Sequence, residues 1–209
     1  MRPLTCLALL PTLAAASCLG GGDRDPGPLR VHHYLAEPQD LEPVRRVMCL
    51  PFLGAQAPDD IREHVRTSFL REIAEAGRLQ ILPLPRLSDQ EVAIFESEES
   101  GRLDAKELVE LARRFHLDGI LIGRITLFGD VAPPTIGLRA ALVSVHSGTV
   151  VWAVDQIFNA GKEQCRQDLL HYYDEVLVEE ASRHGPELLM LSPRMFCDYA
   201  VARVVQTLR

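Results

Sequence analysis

The sequence predicts an α/β (α+β) domain, a mixed sheet of about five strands in β-α-β-α-β-β-β-α order, with helices packed on it and an extra helical segment before the C-terminal helix. Three observations predict it. In the first half, short apolar runs bounded by Pro and Gly alternate with stretches of helical periodicity, the pattern of a layered α/β fold. In the second half, apolar runs follow one another with short links, which reads as consecutive strands. Over 209 residues, 47% hydrophobic and 24% charged is the composition of one globular domain with appendages.

The first element is not part of that domain. Residues 1–17, "MRPLTCLALLPTLAAAS", carry one positive charge at Arg2, then a Leu/Ala run, then small residues, the pattern of a secretory signal. The run is shorter than the roughly 20 apolar residues a spanning helix needs. Residues 18–45 are rich in Gly, Pro and charge without a sustained apolar period, so they read as a flexible tether. His32-His33 within it has no Cys or carboxylate at ligand spacing and reads as solvated.

The domain then spans 46–209. In "RRVMCLPF", Val47 to Phe52 form a strand stopped by Pro51 and Gly54. In "PDDIREHVRTSFLREIAEAG", Ile61, Val65, Phe69 and Ile73 make an apolar stripe, Asp60 and Glu63 stand in capping-box relation, and Gly77 closes the helix. "RLQILPL" is a second strand, and Pro83 and Pro85 bar it from a central position. "LDAKELVELARRFHLDG" repeats the amphipathic pattern through Leu108, Leu111, Ala112 and Phe115. "GILIGRITLFG" is a near-continuous apolar strand, and "GLRAALVSVHSGTVVWAVDQIF" gives two more about a Ser147-Gly148 turn. Alternation puts Val150, Trp152, Val154 and Phe158 on one face. Residues 162–191 have helical spacing through Leu169, Tyr173, Leu177 and Ala181 and read as a helical insertion. The chain closes with a helix capped by Ser192, with Pro193 in its first turn and Phe196, Ala200, Val204 and Leu208 as its stripe.

Chemistry is sparse. A net charge of −7 and a pI near 5.5 exclude a basic nucleic-acid footprint. There is no GxSxG, GxxxxGK[ST], GxGxxG or HExxH pattern, so no catalytic residue, metal ligand, cofactor or small-molecule substrate is predicted. Glu180 and His184 share a helical face and read as an ion pair. Of the cysteines, Cys6 lies in the signal and Cys49 in an apolar strand; an oxidising compartment would permit a bridge between Cys165 and Cys197.

Two resemblances add to this reading. Ala15-Ala16-Ser17-Cys18 resembles the lipobox of bacterial lipoproteins, with Ala15 where that motif usually has Leu. It implies that Cys18 is the lipid-attachment residue; cleavage at Ala14-Ala15-Ala16 by the ordinary signal pathway is the alternative. Leu19 after the cysteine implies sorting to the periplasmic face of the outer membrane. The segments "VMCLPF", "LQILP", "FHLDGILIGRI" and "LRAALVSVHSGTVVW" together resemble the CsgG / LpoB / PelC-like superfamily of periplasmic lipoproteins, the curli-secretion type of domain. Pro51, Phe52, Asp118, Gly123, Gly148 and Trp152 match its motifs, and their implied roles are structural. The resemblance implies a non-enzymatic accessory or assembly subunit of an envelope machine for secretion or polysaccharide export, with envelope proteins as partners and self-association in a ring. Activation of a peptidoglycan synthase is the alternative in the same class, and an envelope enzyme with a dispersed site is the alternative outside it. The Phe128–Ile136 link is too short and Pro-rich to supply a barrel hairpin, whose strands need about 9–11 residues each, so this chain does not form a pore by itself.

Overall fold

The structure is a computed structural model that describes residues 29–84, 110, 112–177 and 187–208. The signal segment, Cys18, the acidic stretch from Ser88 to Arg102, and the Glu180/His184 pair lie outside the described residues. The elements are β1 (His33–Leu35), α1 (Pro38–Leu41), β2 (Arg46–Cys49), α2 (Asp59–Ala76), β3 (Gln80–Leu82), β4 (Gly119–Gly129), β5 (Thr135–Ser144), β6 (Val150–Asn159), α3 (Glu163–Tyr172), α4 (Glu187–Leu191) and α5 (Pro193–Gln206). A π-helical turn, Tyr173–Leu177, extends α3, and the last turn of the second amphipathic helix is seen at 112–115.

One mixed six-stranded sheet has the order β1-β6-β5-β4-β2-β3. Strand β2 pairs in parallel with β3 and β4, while β4, β5, β6 and β1 form antiparallel pairs. The expected meander is therefore present, and β3, flanked by Pro83, is an edge strand, where a missing N–H costs no ladder bond. The sixth strand is β1. It lies inside the span read as tether, and the tether reading is corrected there: Leu35 pairs with Trp152, and Leu41 and Val44 are buried. All three residues of β1 are exposed, so no alternation in the sequence marked it; pairing with β6 alone makes it a strand.

The first face of the sheet carries the main core. Leu121, Ile125, Ile136, Leu138, Ala140, Leu142, Trp152, Val154 and Phe158 point into it. The predicted stripe of α2 (Ile61, Val65, Phe69, Ile73) covers them, and Gly77 ends that helix in the left-handed conformation at φ 66°. Helix α5 is buried nearly all round, and it is capped as predicted: the Ser192 hydroxyl accepts from the Met195 amide at 3.4 Å, with Pro193 in the first turn. Burying side chains of this size contributes roughly 1.5–3 kcal/mol each. Residues Cys165, Leu169, Tyr172 and Leu189 join the same core, so the insertion at 162–191 is in part core and not only surface.

Three local expectations are corrected. Helix α2 begins two residues earlier than a capping box requires, with Pro58 and not Asp60 at its N-cap; Asp60 pairs with Arg194 and Glu63 with Arg66, so neither side chain closes the box. Val150 is exposed, because the ladder slips between Leu142 and Val143 and Val151 takes the inward place. Cys165 and Cys197 are free buried thiols, not a bridge; the Cys165 sulfur faces the Tyr199 hydroxyl at 3.8 Å.

Candidate interaction surface

The motif residues build joints of the fold. Phe52 leaves β2 just after Pro51, packs on Phe69 of α2 with ring centroids 5.0 Å apart, and lies flat over Gly123. A Cβ on Gly123 would fall inside the Phe52 ring, so this mid-strand position must be glycine for the ring to sit there. The Asp118 carboxylate accepts from the backbone N–H groups of Arg46 (2.8 Å) and Arg45 (3.2 Å) and stands 3.2 Å from His146 Nε2. It thus ties the starts of β2 and β4 to the β5–β6 turn, where Gly148 takes φ 67°. Burial raises the Asp118 carboxyl, but these donors outweigh it and hold it below its ordinary range. Trp152 is fully buried, and its indole N–H donates to the Thr207 hydroxyl at 2.9 Å, fastening β6 to the end of α5.

The strongest internal polar clusters also join elements. Asp168 of α3 accepts from the Tyr199 hydroxyl (2.7 Å) and from Arg203 Nε (2.8 Å), while the Arg203 guanidinium lies over the Tyr172 ring. Burial foremost, with Cys165 and Asp168 alongside, pushes the Tyr199 hydroxyl far up, so it stays a neutral donor. Between α2 and α5, Asp198 accepts from the Ser68 hydroxyl and lies 3.1 Å from His64 Nε2 and 3.4 Å from Arg71. Each group in these clusters is engaged across a helix–helix seam. Among the described residues no three His, Cys, Asp or Glu side chains converge as a metal site would require. A cavity of about 290 Å³ between the ends of α2 and α5 is lined by Ile73, Ala76, Leu79, Leu208 and Arg78, and Arg78 already donates to the Leu208 carbonyl at 3.1 Å. It offers no converging acid, base or nucleophile.

The second face of the sheet is different. At the β2–β3 end it is covered: Met48, Leu50, Ile120, Ala112 and Leu117 form a small second core. Toward β5, β6 and β1 no described helix covers it. The cross-strand register sets three rows there. Leu127, Gly137 and Ile157 form the outer row; Arg124, Arg139 and Asp155 the middle; Ile122, Ala141, Ala153 and Tyr34 the inner. Ile157 is 54% exposed and Tyr34 55%, and Leu127 and Val150 are exposed beside them. Arg139 Nε donates to Asp155 at 2.8 Å, so the middle row is Arg124 beside an ion pair, with apolar rows on either side. Exposed large apolar residues gathered on one face mark an interaction surface more often than scattered ones do. Arg139, Asp155, Ile157 and Tyr34 were not singled out from sequence, and counting back equally from the Ser147-Gly148 turn would pair residue 139 with 156, one residue off the observed partner 155, because the ladder slips between Leu142 and Val143. No described helix is long and apolar enough to cross a membrane.

No family model and no curated protein matches the sequence. Solved structures are similar to this chain to differing degrees. A PelC dodecamer from Paraburkholderia phytofirmans aligns over 86% of this chain and 98% of its own at 14% identity, with a TM-score of 0.50. Lipoprotein GNA1162 from Neisseria meningitidis aligns over 66% and 97% at 18% identity (TM-score 0.42). The LpoB C-terminal domain from Salmonella enterica aligns over 54% and 81% at 12% identity (TM-score 0.36). At 14% identity the likeness to the PelC structure is one of fold alone.

Proposed function

We propose that this chain is a non-enzymatic lipoprotein, held through Cys18 at the periplasmic face of the bacterial outer membrane, that serves as an accessory or assembly subunit of a secretion or polysaccharide-export machine. It works by binding proteins, itself included, and self-association in a ring belongs to this reading. The observation that carries it is the half of the second sheet face that no described helix covers, with exposed Ile157, Tyr34 and Leu127 around the row Arg124, Arg139 and Asp155, on a domain whose described buried polar clusters join its elements. The fold likeness to a protein that forms a dodecamer supports assembly, and the leader with Cys18 supports the address. Activation of a distant peptidoglycan synthase fits less well. Packing of the chain from Leu29 onward leaves residues 18–28 as the link to the anchor, and eleven residues span at most about 40 Å.

Two measurements test this. Radioactive palmitate should label the wild-type protein and not Cys18→Ser; label retained by the variant overturns the anchor. The purified protein used as bait in an envelope extract should hold proteins that an Ile157→Lys variant of equal thermal stability releases. A bait that stays monomeric, and retains nothing that the variant loses, counts against the assembly role.

A further inference from the structure

We propose that two copies of this chain pack as a two-fold pair, face to face through the half of the second sheet face that no described helix covers; the proposal rests on the assembly reading and names the surface that makes the self-contact. The argument begins with the register. In the order β1-β6-β5-β4 the midline of that half runs between β6 and β5. A two-fold axis along that midline, in the plane between two stacked sheets, lays β5 of each copy over β6 of the other and β4 over β1. The rows then complement one another without rearrangement. In the outer row Ile157 of each copy meets Gly137 of the other, where the Thr126 side chain lies close over the glycine in place of a Cβ. In the middle row Arg139 of each copy meets Asp155 of the other, so two intramolecular pairs become one network of four charges. In the inner row Ala141 meets Ala153, leaving room between the sheets, and Ile122 meets Tyr34 at the flank.

Self-complementary charge argues for a second copy as the occupant. The chain carries −7 overall, so most surface contacts between copies repel, whereas this face holds Arg124, Arg139 and Asp155, one net positive charge, and its Arg139/Asp155 pair matches itself across the axis. Because Arg139 and Asp155 neutralise each other before contact, covering them strands no lone charge, and the pairing across the axis restores partners on both sides. Aligned sheet-on-sheet packing about 10 Å apart is a standard solution for two such faces. Size sets the strength. Three strands about eight residues long and β1 with its three residues, about 4.8 Å apart, cover roughly 430 Å² per copy, or about 860 Å² for the pair. That is below the size of a standard specific interface, so the pair is weak and transient and depends on concentration. A lipid anchor would favour it by confining copies to one surface.

The test uses the chain from residue 18 with Cys18→Ser, which keeps every described residue, in sedimentation velocity over a wide concentration range. The wild-type chain should pass reversibly from monomer to dimer. Arg139→Asp alone and Asp155→Arg alone should each weaken the dimer about tenfold or more, since like charges then face each other across the axis. An equimolar mixture of these two variants should recover it as a heterodimer, as should the double variant with itself. Ile157→Lys should remain monomeric, and circular dichroism with melting curves confirms that each variant is folded. A monomer at every concentration, or a dimer indifferent to all three substitutions, overturns the proposal. A larger ring whose mass none of them changes also overturns it, while leaving the assembly reading intact.

Discussion

At the residue scale, the matched motif positions act through contacts that single substitutions can break. Asp118 is the clearest case. Its carboxylate serves two backbone donors and faces His146, and these hold its proton affinity below the ordinary value near 3.9 despite burial. A group whose folded pKa is depressed contributes stability that is present above the unfolded value and lost as pH falls through the folded one. Asp118→Ala should therefore cost about 1–2 kcal/mol at neutral pH in urea titrations, and the gap to wild type should close only below about pH 4. A gap that instead widens on acidification would contradict this role. Gly123 gives a second test. Gly123→Ala pushes a methyl into the Phe52 ring and should cost about 1–3 kcal/mol. Phe52→Leu should cost less in the Gly123→Ala background than in the wild type, a coupling that a double-mutant cycle measures.

At the element scale, the joint between α3 and α5 shows how an insertion becomes structure. Asp168 and Arg203 are 14% and 10% exposed at the side chain, and the Tyr199 hydroxyl completes their bonding. Asp168→Ala leaves a buried guanidinium with its main partner gone and should cost about 3 kcal/mol in chemical denaturation. The double variant Asp168→Leu with Arg203→Met should lie closer to wild type than that single change does, because no orphan charge remains. Nothing in the spacing of residues 162–191 showed this joint, since a pair 35 positions apart has no periodic signature. By contrast, the stripe of α2, its Gly77 stop, the Ser192-Pro193 start of α5 and the β5–β6 turn were all legible, because each is set by contacts or backbone freedom within one element. Strand β1 and the Val151 bulge were not: one is a strand only by virtue of β6, and the other depends on how two strands slip. The same limit hid the β5–β6–β1 part of the second sheet face. Arg139, Asp155, Ile157 and Tyr34 come together only once register joins three strands, and alternation alone showed only that some of them face away from the core.

At the scale of the whole molecule, the described elements cover the sheet unequally: α2, α3 and α5 join the main core on one face, and at the β2–β3 end the other is covered by a small second core. The three described thiols lie on the main-core side, Cys49 on β2, Cys165 on α3 and Cys197 on α5, all in the main cluster. Burial pushes the thiols of Cys49 and Cys197 up to about 12 and also raises that of Cys165. A thiol reacts as its thiolate, so at pH 8 each is protected twice, by exclusion of the reagent and by protonation. Because the three come from separate elements of one cluster, that protection should fail together. Alkylation of the Cys18→Ser chain in rising urea should give no labelling of these residues before the unfolding transition, and then the same midpoint for all three, coincident with loss of circular dichroism. An earlier midpoint for Cys165 alone would mean that α3 opens before the sheet. The insertion would then be an appendage docked on the core and not a part of it.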